Sequence, residues 1–160
     1  MIDGVLHPAF ILLAGAVLIG FTRGHLRSAV LFAAPVATLW ALWQIPDGVV
    51  ATAYFLGYEI QPIEGSAVRR LFATIFTIMA FTGGLFAFRQ AKWYELAAGY
   101  AYAAGAVGVS FAGDLITLFL FWELMAIFST VVVWCGGTPE ARAAGIRYAI
   151  MHLLGGVILK

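Results

Sequence analysis

The sequence predicts an all-α membrane protein of about six transmembrane helices, with a short extracytoplasmic hairpin between the second and third. Three observations predict it. Of the 160 residues, 63% are hydrophobic and only 11% charged, where a soluble domain carries about 25% charge; the mean hydropathy is +0.97. Apolar runs of roughly bilayer length recur along the chain, separated by short stretches rich in turn formers or charge. Lys and Arg collect mainly in alternate links between those runs.

The first span is read at about His7–Phe21, with Pro8 near its start, where a missing N–H costs little. Asp3 stands where a signal peptide would carry positive charge, and no clean cleavage site follows, so this run is expected to be retained. Thr22–Arg27 is expected as a loop bearing Arg23, His25 and Arg27. The second span, about Ser28–Gln44, ends at Pro46-Asp47-Gly48, and its Trp40 and Trp43 suit a membrane interface. Val49–Ser66 mixes β-branched and aromatic residues around a glycine, which predicts a hairpin outside the bilayer.

The uncharged run Leu71–Phe88 is the third span. Leu96–Gly113 is the fourth, and its Ala, Gly and Tyr content allows close approach of a neighbouring helix. Leu115–Trp134 is the fifth. Gly136-Gly137-Thr138-Pro139-Glu140 forms the next turn, with Thr138 a candidate N-cap and Pro139 a candidate first helical residue. The sixth span is about Arg142–Leu159. Residues 1–160 read as a single transmembrane domain, with no internal repeat.

The links after spans one, three and five carry Arg23 and Arg27, then Arg89 and Lys92, then Arg142. They are therefore expected in the cytoplasm, with an extracytoplasmic N-terminus, in a cell inner (plasma) membrane. Arg69 and Arg70, at the outer end of span three, run against that pattern; they could meet lipid phosphate or a neighbouring subunit. A net charge of +1, with no basic cluster longer than two residues, argues against nucleic-acid binding. The single cysteine, Cys135, excludes an internal disulfide and a Cys-rich metal site. With no nucleotide loop and no His pair at i, i+4, neither a metal nor a cofactor is expected.

Glu123 is the residue that demands an explanation. It lies nine residues beyond Asp114, about 14 Å down the fifth helix, and an ionisable side chain at that depth marks a functional site by default. Desolvation favours the neutral acid and a nearby cation favours the carboxylate, so a carboxyl there can load and unload a proton. The bland alternative is a neutral Glu hydrogen-bonded across helices. Phe119, Leu120, Ala126, Ile127 and Thr130 share its face. Thr130 is a candidate water holder; the rest of the face is apolar, so a polar partner must come from another helix. His152, about 15 Å into the sixth span, is a candidate relay, or else a donor to a backbone carbonyl. Arg147 either snorkels to the interface or supplies a counter-charge. Asp114 reads as a cap, Tyr100, Tyr102 and Trp122 as packing residues, and Gly155-Gly156 as a packing face.

The run DLITLFLFWELMAIFSTVVVW, followed by TPEARAAGIRYAIMHLLGG, resembles the antiporter-like subunits. That superfamily includes proton-pumping membrane subunits of respiratory complex I (NADH:quinone oxidoreductase), of Mrp-type multisubunit Na+/H+ antiporters and of membrane-bound hydrogenases. The opening MIDGVLHPAFILLAGAVL and the segment FLGYEI are most similar to the D-type subunits of the Mrp group. The resemblance implies that Glu123 is the fifth-helix glutamate that pairs with a seventh-helix lysine and starts a lateral chain of charged and hydrated groups. It places His152 on the family's sixth-helix segment, with no assigned role.

Members are about three times this length, with roughly fourteen spans in inverted repeats around broken helices. The chain is therefore expected to be the N-terminal third of such a protein, a piece of it or a split or truncated product, without the seventh-helix lysine. Ser66 stands where members tend to carry an acid. The implied function is proton translocation within a multisubunit monovalent cation/H+ antiporter, with other membrane subunits, the lipid bilayer, H+ and monovalent cations as partners. The alternatives are a proton-pumping subunit of an NADH:quinone oxidoreductase or a membrane-bound hydrogenase, and a non-pumping structural or assembly subunit.

Overall fold

The computed structural model describes residues 5–158. In chain order these form α1 (Pro8–Phe21), α2 (Gly24–Leu42), β1 (Gly48–Phe55), β2 (Tyr58–Gly65), α3 (Ala67–Ala87), α4 (Trp93–Phe111), α5 (Leu115–Trp134) and α6 (Pro139–Ile158). Six helices and the hairpin stand where the sequence predicts them, and the helix starts are where the reading shifts. α2 begins at Gly24, whose φ of +57° makes the turn, so His25 and Arg27 are helical. Arg27 folds back to donate through Nε and Nη2 to the Thr22 carbonyl, at 2.9 and 2.6 Å. α3 begins at Ala67 because the Ser66 hydroxyl accepts from the Arg69 N–H at 3.2 Å, a cap that places Arg69 and Arg70 in its first turn. Thr138 caps α6 as expected, accepting from the Ala141 N–H at 3.1 Å.

α4 is the centre of the bundle. It packs on α1, α3 and α5, and α6 lies at the edge against α5. Small side chains make that position possible: Ala101, Ala104, Val107 and Phe111 are fully buried, and Gly105 lets α5 approach so closely that a Cβ there would meet Met125 Cγ at 2.6 Å. The outer faces carry large exposed apolar residues such as Phe21, Met79, Phe86 and Leu115, the surface a lipid solvent accepts and water does not.

Among the described residues three helices, α2, α3 and α5, are long and apolar enough to cross a membrane. Length and composition alone therefore give three spans where the sequence reading expected six. α1 is apolar but has 14 residues; Glu95 and a run of Ala, Gly and Tyr dilute α4, and Glu140, Arg142 and Arg147 dilute α6.

The hairpin is antiparallel, paired from Gly48↔Gly65 to Phe55↔Tyr58. Its two-residue loop, Leu56-Gly57, has positive φ at both positions, +50° and +84°, the backbone of the mirror-image turns that close hairpins. Strand β2 is tied to the α4–α5 link. The Gly113 N–H donates to the Gln61 carbonyl at 2.9 Å, and the Gln61 N–H donates to Asp114 Oδ2 at 2.7 Å. Arg69 donates to the Ala112 carbonyl and pairs with Glu64. Arg70 donates to the Ile45 carbonyl at 2.9 Å and pairs with Asp47 at 2.7 Å. Arg69 thus ties β2 to the α4–α5 link, and Arg70 holds the α2–β1 link against α3.

Candidate functional site

The site starts with the cap of α5. Asp114 accepts from the Ile116 and Thr117 N–H groups, each at 2.9 Å, and from the Thr117 hydroxyl at 2.6 Å. Burial pushes this carboxyl up, but the hydrogen bonds from Thr117, Gln61 and Ile116 outweigh it and hold Asp114 below the usual carboxylate range. The expected capping role is what the residue performs, and the bond to Gln61 adds a tie to the hairpin.

From that cap, α5 presents two opposite faces. Phe121 and Met125 lie on Gly105 and Gly108 of α4, while Phe119 and Glu123 lie on Gly156 of α6 and Trp134 on Gly145. Steps of 100° per residue put Ala126 and Thr130 on the second face as well. The two α5–α6 contacts also fix an antiparallel register: Glu123 to Trp134 and Gly145 to Gly156 are equal intervals along the two helices. His152, one turn before Gly156, shares the face of α6 turned to α5. Glu123, Thr130 and His152 thus belong to one helix–helix interface.

Glu123 is half-buried. Its Oε1 is buried and has no hydrogen-bond partner among the described residues. A Cβ at Gly156 would stand 2.6 Å from that oxygen. Thr130 is buried, and its hydroxyl donates to the Ala126 carbonyl at 2.8 Å, which leaves only acceptor lone pairs for a water. His152 packs against Tyr148, ring centroids 4.5 Å apart and the planes tilted by 54°. No hydrogen bond joins the three residues among those described. Arg147 lies on the exposed side of α6, about 200° round from Gly145. Among the described residues no group of three His, Cys, Asp or Glu side chains is placed to hold a metal ion.

An apolar groove of about 590 Å³ opens beside the site. The hairpin tip, Phe55, Leu56 and Tyr58, forms one wall, and Leu115, Phe119 and Trp122 of α5 form the other, with Gly156 also lining it. Trp122, expected to pack, is 39% exposed on this groove.

Sequence reasoning gives His7 no role beyond opening the first span. Its Nδ1 accepts from the Ala9 N–H at 3.1 Å and caps α1. The ring is 4% exposed, among Phe10, Phe111 and Phe121. Nε2 therefore carries the proton; it faces the Pro62 carbonyl without reaching hydrogen-bond geometry. The His-Pro pair at a helix start is the signal that could have found it.

Fold and site together define an α-helical membrane protein with a half-buried acid at a helix–helix interface. More particularly, the chain is related to the D subunits of cation/H+ antiporters. It is 28% identical over 125 residues to the D subunit of the Na+/H+ antiporter of Alkalihalophilus pseudofirmus, covering 72% of this chain and 22% of that protein. It is 25% identical over 130 residues to a protein of Staphylococcus saprophyticus designated antiporter subunit mnhD2, covering 81% of this chain and 25% of that one. The chain thus spans about a quarter of the length of the curated relatives it matches. No family model matches it, and no solved structure matches it.

Proposed function

We propose that the chain is part of a proton-translocating subunit of a multisubunit monovalent cation/H+ antiporter, with Glu123 as the proton carrier. The observation that carries this reading is the buried Oε1 of Glu123, without a hydrogen-bond partner among the described residues, in a helix of spanning length. An uncompensated polar atom in such a place costs several kcal/mol, and a group that must take up and release protons has to leave a lone pair open. The relatives' names supply the exchange chemistry. In this reading all six helices cross a cell inner (plasma) membrane. The N-terminus faces outward, placing Arg23, Arg27, Arg89 and Lys92 in the cytoplasm. His152, on the same interface about one turn from Gly156, receives the proton from Glu123 through water.

The test is cation-driven proton exchange in everted membrane vesicles carrying the assembled complex. Glu123→Gln and Glu123→Ala should both abolish exchange while the complex still assembles. Undiminished exchange in both variants would overturn the carrier role.

A further inference from the structure

We propose that Gly156 is a positioning residue for Glu123: its missing Cβ leaves the notch in α6 that seats the carboxyl against the neighbouring helix. This rests on the reading of Glu123 as the proton carrier, but it concerns a different helix and a different property. Two observations meet here. Oε1 of Glu123 is buried without a partner among the described residues. The atom that an added Cβ at Gly156 would strike first is that same oxygen, at 2.6 Å, with Phe119 Cε2 next at 3.1 Å.

The neighbouring glycine supplies the contrast. A Cβ at Gly155 meets nothing within 4 Å, so alanine brings the same gain in helix propensity at either position while only one of them bears on Glu123. The obstructed atom is also the far end of a flexible side chain rather than backbone. Gly156→Ala is therefore accommodated by moving the carboxyl, by roughly 0.8 Å to reach ordinary contact, and not by separating α5 from α6. A displacement approaching 1 Å at a reacting group costs on the order of tenfold to a hundredfold in rate.

No other titratable group lies in α5. Among the described residues, His152 and Tyr148 are the titratable side chains on the α6 face turned to it, Tyr58 of β2 lines the groove beside it, and Arg142 and Arg147 are exposed. The carboxyl's position along that face consequently sets its distance from the imidazole.

The experiment compares Gly156→Ala with Gly155→Ala in the assembled complex, by exchange rate across pH and by the carboxyl C=O stretch in infrared difference spectra, assigned by its loss in Glu123→Gln. The expected result is an exchange rate lowered about tenfold, a displaced pH profile and a shifted C=O band in Gly156→Ala, with Gly155→Ala like the unsubstituted protein. A second comparison covers failure of Gly156→Ala to assemble. In a Glu123→Asp background the carboxyl stops one methylene short of the notch, so adding Gly156→Ala should change neither readout. An unshifted band in Gly156→Ala, or an equal further loss in the Asp background, overturns the positioning role and leaves the carrier role standing. Undiminished exchange in Glu123→Gln overturns the carrier role instead, and the band comparison still reads the position of the side chain.

Discussion

The Tyr100 hydroxyl of α4 donates to the Leu31 carbonyl of α2, and that carbonyl is the one Pro35, four residues on, has no N–H to bond. A proline inside a spanning helix leaves a backbone acceptor open, and lipid offers nothing to fill it. Tyr100, 3% exposed at the bundle centre, fills it from the next helix. The result is a polar link that ties α2 to α4 through the middle of the fold.

Tyr100→Phe should destabilise the protein by about 1–2 kcal/mol, read as a lowered midpoint of unfolding in detergent. In a Pro35→Ala background the restored Ala N–H supplies the missing donor, so the same substitution should cost less than half as much. Equal losses in the two backgrounds would show that the hydroxyl is not substituting for the proline's N–H.

Asp114 joins a helix cap to the hairpin. Asp114→Ala should cost about 1–2 kcal/mol from the cap alone and should also release β2, because the Gln61 N–H loses its acceptor. Limited proteolysis between Gly48 and Gly65 should accelerate in the variant. Asp114→Asn, which keeps an acceptor oxygen, should fall between the two.

His7 caps α1 through its ring: Nδ1 accepts from the Ala9 N–H. His7→Ala should cost about 1–2 kcal/mol, read as a lowered midpoint of unfolding in detergent. His7→Asn, which keeps a capping acceptor, should lose less than half as much. Equal losses in the two variants would remove the cap as the cause.

What can be read from the sequence follows what is local. α5 runs over Leu115–Trp134 as expected, because Asp114 caps its start and the Gly136-Gly137 turn follows its end. The hairpin lies within one residue of its expected range for the same reason: strand composition around Gly57 is a short-range signal. The start of α3 falls four residues earlier than the apolar run suggests, because Arg69 and Arg70 bound that run and read in isolation as contacts for lipid phosphate or a neighbouring subunit. Their partners Glu64 and Asp47 lie outside the helix, and only the folded hairpin brings them into reach.

Glu123 is legible from depth alone, while Gly156 is not. Nothing in α6 marks which side turns to α5, since apolar and polar residues alternate round it without a clear stripe, and that choice is made by Trp134 on Gly145 and Glu123 on Gly156. The Tyr100–Leu31 bond likewise joins residues 69 apart in sequence, beyond the reach of any periodicity.

As the proposed proton carrier, the Glu123 carboxyl must change protonation state during transport. Infrared difference spectroscopy of the assembled complex, cycled between a cation gradient and its collapse, measures this directly, with Glu123→Gln identifying the band. A carboxylic C=O band should appear and disappear with turnover in the native complex and be absent from the variant. A band of constant intensity under every condition that drives exchange would contradict it.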